Sequence, residues 1–292
     1  MNSVFRLPLL VLIFSLLLLP AAAQPPGVPR GIGLGLSVDA ECALGNEVDV
    51  SRAKWSVDYQ LPKVRGGMPG VGLAQEFSRY DFADEMAPEF EASLADARSD
   101  EFSLSYRRAL RPKWFFFGSA TAGSSIERGA EWSSGVTYGF FGAWRYAASE
   151  TLGLSLGVAG FTRLEDPPMA FPFPAIDWQI TDRLSLRTER GVTLAWDMDG
   201  EGGWVAELAA AYESHDFRLD DDDVAPRGVL RDNSIPVTVG LKCKSGPLFQ
   251  ARFWLGTTAW QEYELADEDG HSVAKESGNT AVLAGAEAAF QF

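Results

Sequence analysis

The chain closes on AVLAGAEAAFQF, where Val282, Ala284, Ala286, Ala288, Phe290 and Phe292 fall at every second position. A period of two marks a strand with one apolar face. The same alternation recurs along nearly the whole chain. In RAKWSVDYQL, Ala53, Trp55, Val57, Tyr59 and Leu61 share one face, and Arg52, Lys54, Ser56, Asp58 and Gln60 share the other. In EWSSGVTYGFFGAWRY, Trp132, Val136, Tyr138, Phe140, Trp144 and Tyr146 oppose Glu131, Ser133, Gly135, Thr137, Gly139 and Arg145. Leu152, Leu154, Leu156 and Val158 oppose Gly153, Ser155, Gly157 and Ala159, a face small enough to let other groups approach closely. Leu184 and Leu186, and then Ile235, Val237, Val239 and Leu241, repeat the pattern with their charges on the other side.

An alternating face in a soluble domain turns toward a core, and a secreted β-sandwich is the rival reading. Three features favour lipid instead. The apolar faces carry aromatic residues at both ends, as the interfacial girdles of a membrane barrel do. The opposite faces carry many small and charged residues, which suits a lumen. The connections alternate in length, with short ones at 111–112, 147–150, 180–182 and 245–246 and long polar ones at 83–100, 125–130, 165–170, 220–230 and 267–278. Outer-membrane barrels have short periplasmic turns and longer outside loops. The count is 12 strands, or 14 with a short hairpin formed by 184–188 and 192–196. Either number is even and puts both termini on the periplasmic side.

Residues 1–23 read as a cleaved signal peptide: Arg6, an apolar run from Leu7 to Leu19, then Ala21, Ala22 and Ala23 before Gln24. Residues 24–292 then form one outer-membrane barrel domain, and no cysteine follows the cut directly to carry a lipid anchor. Beyond the signal no apolar run reaches 18 residues, so no helical span is expected, which leaves a barrel open. The formal net charge of −15 argues against a nucleic-acid partner, which requires clustered Lys and Arg. Two cysteines, Cys42 and Cys243, are too few for a disulfide-rich scaffold and match no zinc spacing. Whether they pair is left open.

Phe292, with Phe290 and apolar residues at alternate positions before it, resembles the carboxyl-terminal signature by which barrel-assembly machinery recognises Gram-negative outer-membrane proteins. The mature chain, through FSRYDF at 77–82, RPKWFFFGSA at 111–120 and PAIDWQITDRLSL at 174–186, resembles an uncharacterised bacterial family of outer-membrane β-barrels. That resemblance implies an all-β fold, a single antiparallel transmembrane barrel, and an outer-membrane location. It implies no catalytic or binding residue.

Chemistry-bearing motifs are few. ESHDF places Ser214, His215 and Asp216 in a row, but neighbours on a strand point to opposite faces and do not build a nucleophile, base and orienter. A solvated strand end is the expected reading. Asp220, Asp221, Asp222 and Asp223 form an acidic run, and DEDG at 267–270 and DMDGE at 197–201 are similar, yet none completes a calcium loop. Calcium is a weak candidate there, and acidic surface loops are the plainer reading. No cofactor is expected. The lumen-lining candidates are Lys54, Asp58, Arg107, Arg145, Arg163, Arg187, Glu189, Glu207, Lys242 and Arg252, joined by Glu213 and Glu287. Charge inside the span must face water or a partner.

With 12 to 14 strands the lumen exceeds that of an eight-stranded barrel filled by its own side chains. The expectation is therefore a passive channel or transporter for small solutes, in contact with outer-membrane lipid, unless a loop or the amino-terminal segment plugs it. A sealed structural or surface-interaction barrel with acidic loops is the alternative, and an outer-membrane lipid hydrolase resting on ESHDF is the third.

Overall fold

The computed structural model describes residues 33–292 apart from 46–47, 84–85, 92–93, 95, 190 and 247. The expected signal peptide, 1–23, lies outside the described residues. Sixteen strands follow in order: β1 Gly33–Leu44, β2 Val48–Gln60, β3 Gly67–Phe82, β4 Asp96–Arg111, β5 Trp114–Glu127, β6 Val136–Ala147, β7 Leu152–Phe161 and β8 Met169–Gln179. The rest are β9 Leu184–Arg187, β10 Val192–Asp197, β11 Trp204–Ala210, β12 Glu213–Arg218, β13 Val229–Ser245, β14 Phe249–Ala266, β15 Ser272–Ser277 and β16 Val282–Gln291. No helix among the described residues is long and apolar enough to cross a membrane.

The wall runs from β1 to β11, passes to β13, β14 and β16, and closes where β16 pairs with β1. It is a closed antiparallel barrel of 14 strands. The short hairpin β9–β10 belongs to the wall, so the larger of the two expected counts holds. Closure reaches the last residue: Leu34 N–H donates to the Phe292 carbonyl at 3.2 Å, and Phe292 N–H donates back at 2.9 Å. The Phe292 ring stacks on Phe290, and Phe290 lies 5.1 Å from Phe249.

The alternating faces sort as lipid and lumen. Leu156, Val239 and Leu255 remain 63%, 63% and 66% exposed although they occupy mid-strand apolar positions. A sandwich would bury them, so the soluble alternative fails. Trp114, Trp144, Trp178, Trp196 and Trp204 gather toward the end carrying the termini, and Trp55, Trp132 and Tyr138 toward the other. Paired aromatic girdles flank an apolar belt of about 25 Å in membrane barrels. Trp132 comes from the 3₁₀ turn Trp132–Gly135, just outside β6. Cys42 and Cys243 are outward thiols on different strands, and no disulfide joins them.

Two hairpins leave the wall at the end away from the termini. β11 stops at Ala210, Ala211 N–H donates to the Pro236 carbonyl at 3.4 Å, and β12 continues along the upper half of β13. Pro236 returns no N–H, and the register of β13 against β14 shifts between Ile235 and Pro236. The upper half of β14 pairs with β15 as the wall passes to β16. Both hairpins therefore bend inward together as a four-stranded flap, β12–β13–β14–β15. It crosses the mouth until Arg218 of β12 bridges to Ile126 of β5. Phe217, Leu219, Leu230, Tyr263 and Leu265 of the flap pack with Val48, Val50, Tyr80, Phe90, Leu94 and Leu283 into the molecule's buried apolar cluster. The barrel's hydrophobic core is thus a plug under one rim.

Candidate functional site: the lumen

The space below the flap is divided into two cavities by character. The upper, about 550 Å³, is lined by Asp39, Glu41, Lys54, Glu76, Arg252 and Trp254 from the wall and by Glu213, Ser214 and His215 from β12. Many of the charges in and beside it are paired. Glu207 receives Lys242 Nζ at 2.9 Å and lies 3.0 Å from Arg252 Nε. The Arg252 guanidinium also lies 5.1 Å above the Trp254 ring, and Trp254 Nε1 donates to Glu41 at 3.2 Å. Lys54 reaches Glu76 at 4.0 Å. Glu207 is buried, so these pairs hold a charge that lipid or an apolar interior would reject.

Between cavity and flap lies a latch. Arg52, inward on β2, donates to Asp232 on the flap and reaches Glu41 at 3.5 Å, and Tyr80 O–H donates to Asp232 at 3.0 Å. The Asp232 side chain is fully buried. A second tie faces the 162–168 segment: Arg231 lies 3.0 Å from Asp166 and 3.5 Å from Glu264, and Arg218 pairs with Glu165. At the rim, burial lifts the Glu127 carboxyl above its usual range even though Asp220 N–H donates to it at 2.8 Å. Burial raises Asp223 likewise.

The lower cavity, about 560 Å³, has a different lining: Met68, Phe115 and Phe117 beside Arg107, Arg145 and Glu189. Phe117 meets Phe141 at 5.3 Å, Phe141 stacks on Phe173 at 4.8 Å, and Phe161 lies 6.2 Å from Phe171. One side of the lumen, built from β5 to β8, is therefore aromatic. That side also holds the Arg145–Asp177 ion pair between β6 and β8, and most of the other lumen charges lie on β1 to β3, β11, β13, β14 and β16.

Lys54, Asp58, Arg107, Arg145, Arg187, Glu207, Lys242, Arg252 and Glu287 point inward on wall strands, as their registers require. Glu189 faces the lower cavity from the β9–β10 turn. Arg163 is a correction: it sits beyond β7 in the 162–168 segment, 2.8 Å from Asp166, because the strand ends at Phe161. Glu213 lines the upper cavity, from the flap rather than from a wall strand. ESHDF is not a solvated strand end. It is β12, and His215 stacks on Phe217 with Nδ1 3.6 Å from Glu76. Ser214 and His215 stand opposite Asn233 and Asp232 on alternate faces, so no relay forms. The aspartates do not form one cluster: Asp220 and Asp223 lie beside Glu127, and Asp221 turns to Arg227. Asp220 turns to the Glu127 and Gly129 side, Asp221 lies 3.9 Å from Arg227, and Asp223 accepts the Ala225 N–H. Among the described residues no three His, Cys, Asp or Glu side chains converge on a metal position.

The aromatic lining went unread, yet a signal existed. WFFF at 114–117 and FF at 140–141 put aromatics on consecutive positions, so each run must aim at least one ring inward.

No family model matches the chain and no curated protein matches it. Among solved structures it is similar to an outer-membrane channel from Pseudomonas putida F1, at 9% identity over 93% of this chain and 100% of that one, with a TM-score of 0.48. It is also similar to the P. putida toluene transporter TodX, at 10% identity over 91% of each chain with a TM-score of 0.44. The KdgM porin in complex with disordered oligogalacturonate gives 10% identity over 86% of this chain and 97% of that one, at 0.36. With each TM-score below 0.5, the assignment of this chain as a closed membrane β-barrel rests on its own strand register and side chains.

Proposed function

We propose that this protein is a passive outer-membrane channel for small solutes whose outer mouth is capped by the β12–β15 flap. The carrying observation is a 14-stranded lumen that its own side chains leave partly open, with two cavities of about 550 and 560 Å³. The even strand number and the short turns beside the termini support a periplasmic position for that end. Phe290 and Phe292 are the residues we assign to the assembly machinery. The reading is of a conduit and requires no reaction.

The flap makes the latch the test. Arg52→Ala leaves Asp232 buried beside Tyr80 without its cation, and breaking such a pair costs about 3–5 kcal/mol. In planar-bilayer recordings the wild-type protein should open rarely or to small steps, and Arg52→Ala should open more often. The packed flap core favours a sealed structural barrel as the second reading. Background conductance from both proteins would establish that reading and overturn the channel.

A further inference from the structure

We propose that the wall carries a lateral gap beside the upper half of β8, through which small apolar ring-bearing solutes pass between the aromatic side of the lumen and the surrounding lipid. The inference rests on the channel reading and names its solute class.

Strand pairing defines the gap. β9 meets β8 only from Asp177 to Gln179, and the last contact is Thr188, whose N–H donates to the Ile176 carbonyl at 3.0 Å while its Oγ1 accepts the Ile176 N–H at 2.9 Å. From 169 to 175 no described residue pairs with that edge of β8. On the far flank, β10 pairs with β11 up to Val192 and Ala210, and beyond Ala210 the chain turns inward as the flap. Among the described residues, none fills the wall between β8 and the flap above the β9–β10 turn.

The edge is chemically prepared to be bare. Ile176 aims both backbone groups toward β9, so Pro174 and Pro172, two and four residues earlier, present the same edge. Neither has an N–H. A lone N–H facing hydrocarbon costs several kcal/mol, and proline in a sheet is confined to edges for the same reason that it cannot donate. Two of the edge's three remaining donor positions are thereby removed, leaving Ala170.

Depth places the gap in lipid. Pro172 pairs with Val158, and Ala170 pairs with Gly160, which pairs with Phe140. Phe140 and Val158 face outward at 54% and 43% exposure, one and two outward steps below the girdle residue Tyr138. Inside, Phe171 faces the lumen yet is 41% exposed, and Phe173 behind it stacks on Phe141. No residue from 169 to 176 is charged. A flat apolar ring entering here meets stacking partners, whereas a polar solute would have to cross lipid first.

The test uses the full mature chain in vesicles, with Cys42 and Cys243 replaced by alanine and one cysteine carrying a fluorophore at Phe171, Ser119 or Val158. The vesicles contain phosphatidylcholine with a nitroxide in mid-chain. Ser119 faces inward on β5, a strand paired on both edges, and Val158 faces lipid. Each variant is first shown to retain a heat-dependent shift in SDS gels, so that only closed barrels are compared. The expected result is quenching at 171 several-fold above that at 119. Added naphthalene should relieve quenching at 171 and leave 158 unchanged, and Phe141→Ala should require about tenfold more naphthalene. Quenching at 171 no greater than at 119 overturns the gap. Quenching that naphthalene does not relieve overturns the solute class. Ion conductance with a quiet 171 defeats this inference alone, whereas a quenched 171 in a barrel with no conductance defeats the axial channel and leaves the lateral route.

Discussion

Leu156 and Ser119 sit on wall strands only two apart and face opposite solvents, which makes the lipid-and-lumen assignment testable one side chain at a time. Leu156→Arg puts a cation on the lipid face near mid-depth and should cost about 2–4 kcal/mol. Ser119→Arg puts the same cation in the lumen and should be tolerated. Denaturant unfolding of both variants in vesicles checks the contrast, and equal losses would return the alternation to a soluble core. Small residues on the lumen face now have specific causes. A Cβ at Gly157 would lie 2.3 Å from the Phe173 ring, and one at Gly285 would lie 2.2 Å from Trp254. The alternation showed that this face was small, but which ring filled each space depended on which strands became neighbours and in what register.

Among the elements, the wall strands were legible and the flap was not. In the upper half of β13 the alternation lapses, with Val229 and Leu230 adjacent and Arg231, Asp232, Asn233 and Ser234 following in a row, so no two-residue repeat marked where that segment would pack. Length was the available signal: β13 and β14 run 17 and 18 residues, against roughly 10 needed to cross a membrane as a tilted strand. Pro236 marked the bend. The flap also carries a pH dependence. Glu127 and Asp223, with Asp220 beside them, anchor the 219–228 loop against the end of β5, and burial raises the first two carboxyls. A raised folded-state pKa means that docking is penalised at neutral pH; the penalty lifts as pH falls through the raised values and is gone below the ordinary carboxylate range. Acidification should therefore hold the flap shut and lower the opening frequency in bilayer recordings. Glu127→Gln should be less sensitive to pH.

For the whole molecule, closure is the property from which the rest follows. Protein extracted in detergent should migrate as a compact band in cold SDS and shift on boiling. Removing Phe292 deletes both backbone bonds to Leu34 and the stack on Phe290, so the heat-shifting fraction should fall. Unchanged behaviour would deny that the last residue closes the wall. The sequence by itself determined what is local and periodic: the strands, their lipid and lumen faces, the alternating turn lengths and the aromatic terminus. Each of these follows from a two-residue repeat against an apolar surround. Only the tertiary structure decided that two hairpins fold in as a plug, that Arg52 meets Asp232 180 residues away, that phenylalanines from four consecutive strands share one side of the lumen, and that the upper half of β8 has an edge unpaired by any described residue. Those depend on which strands become neighbours and where pairing stops, and a period-two pattern is the same whether or not its neighbour is present.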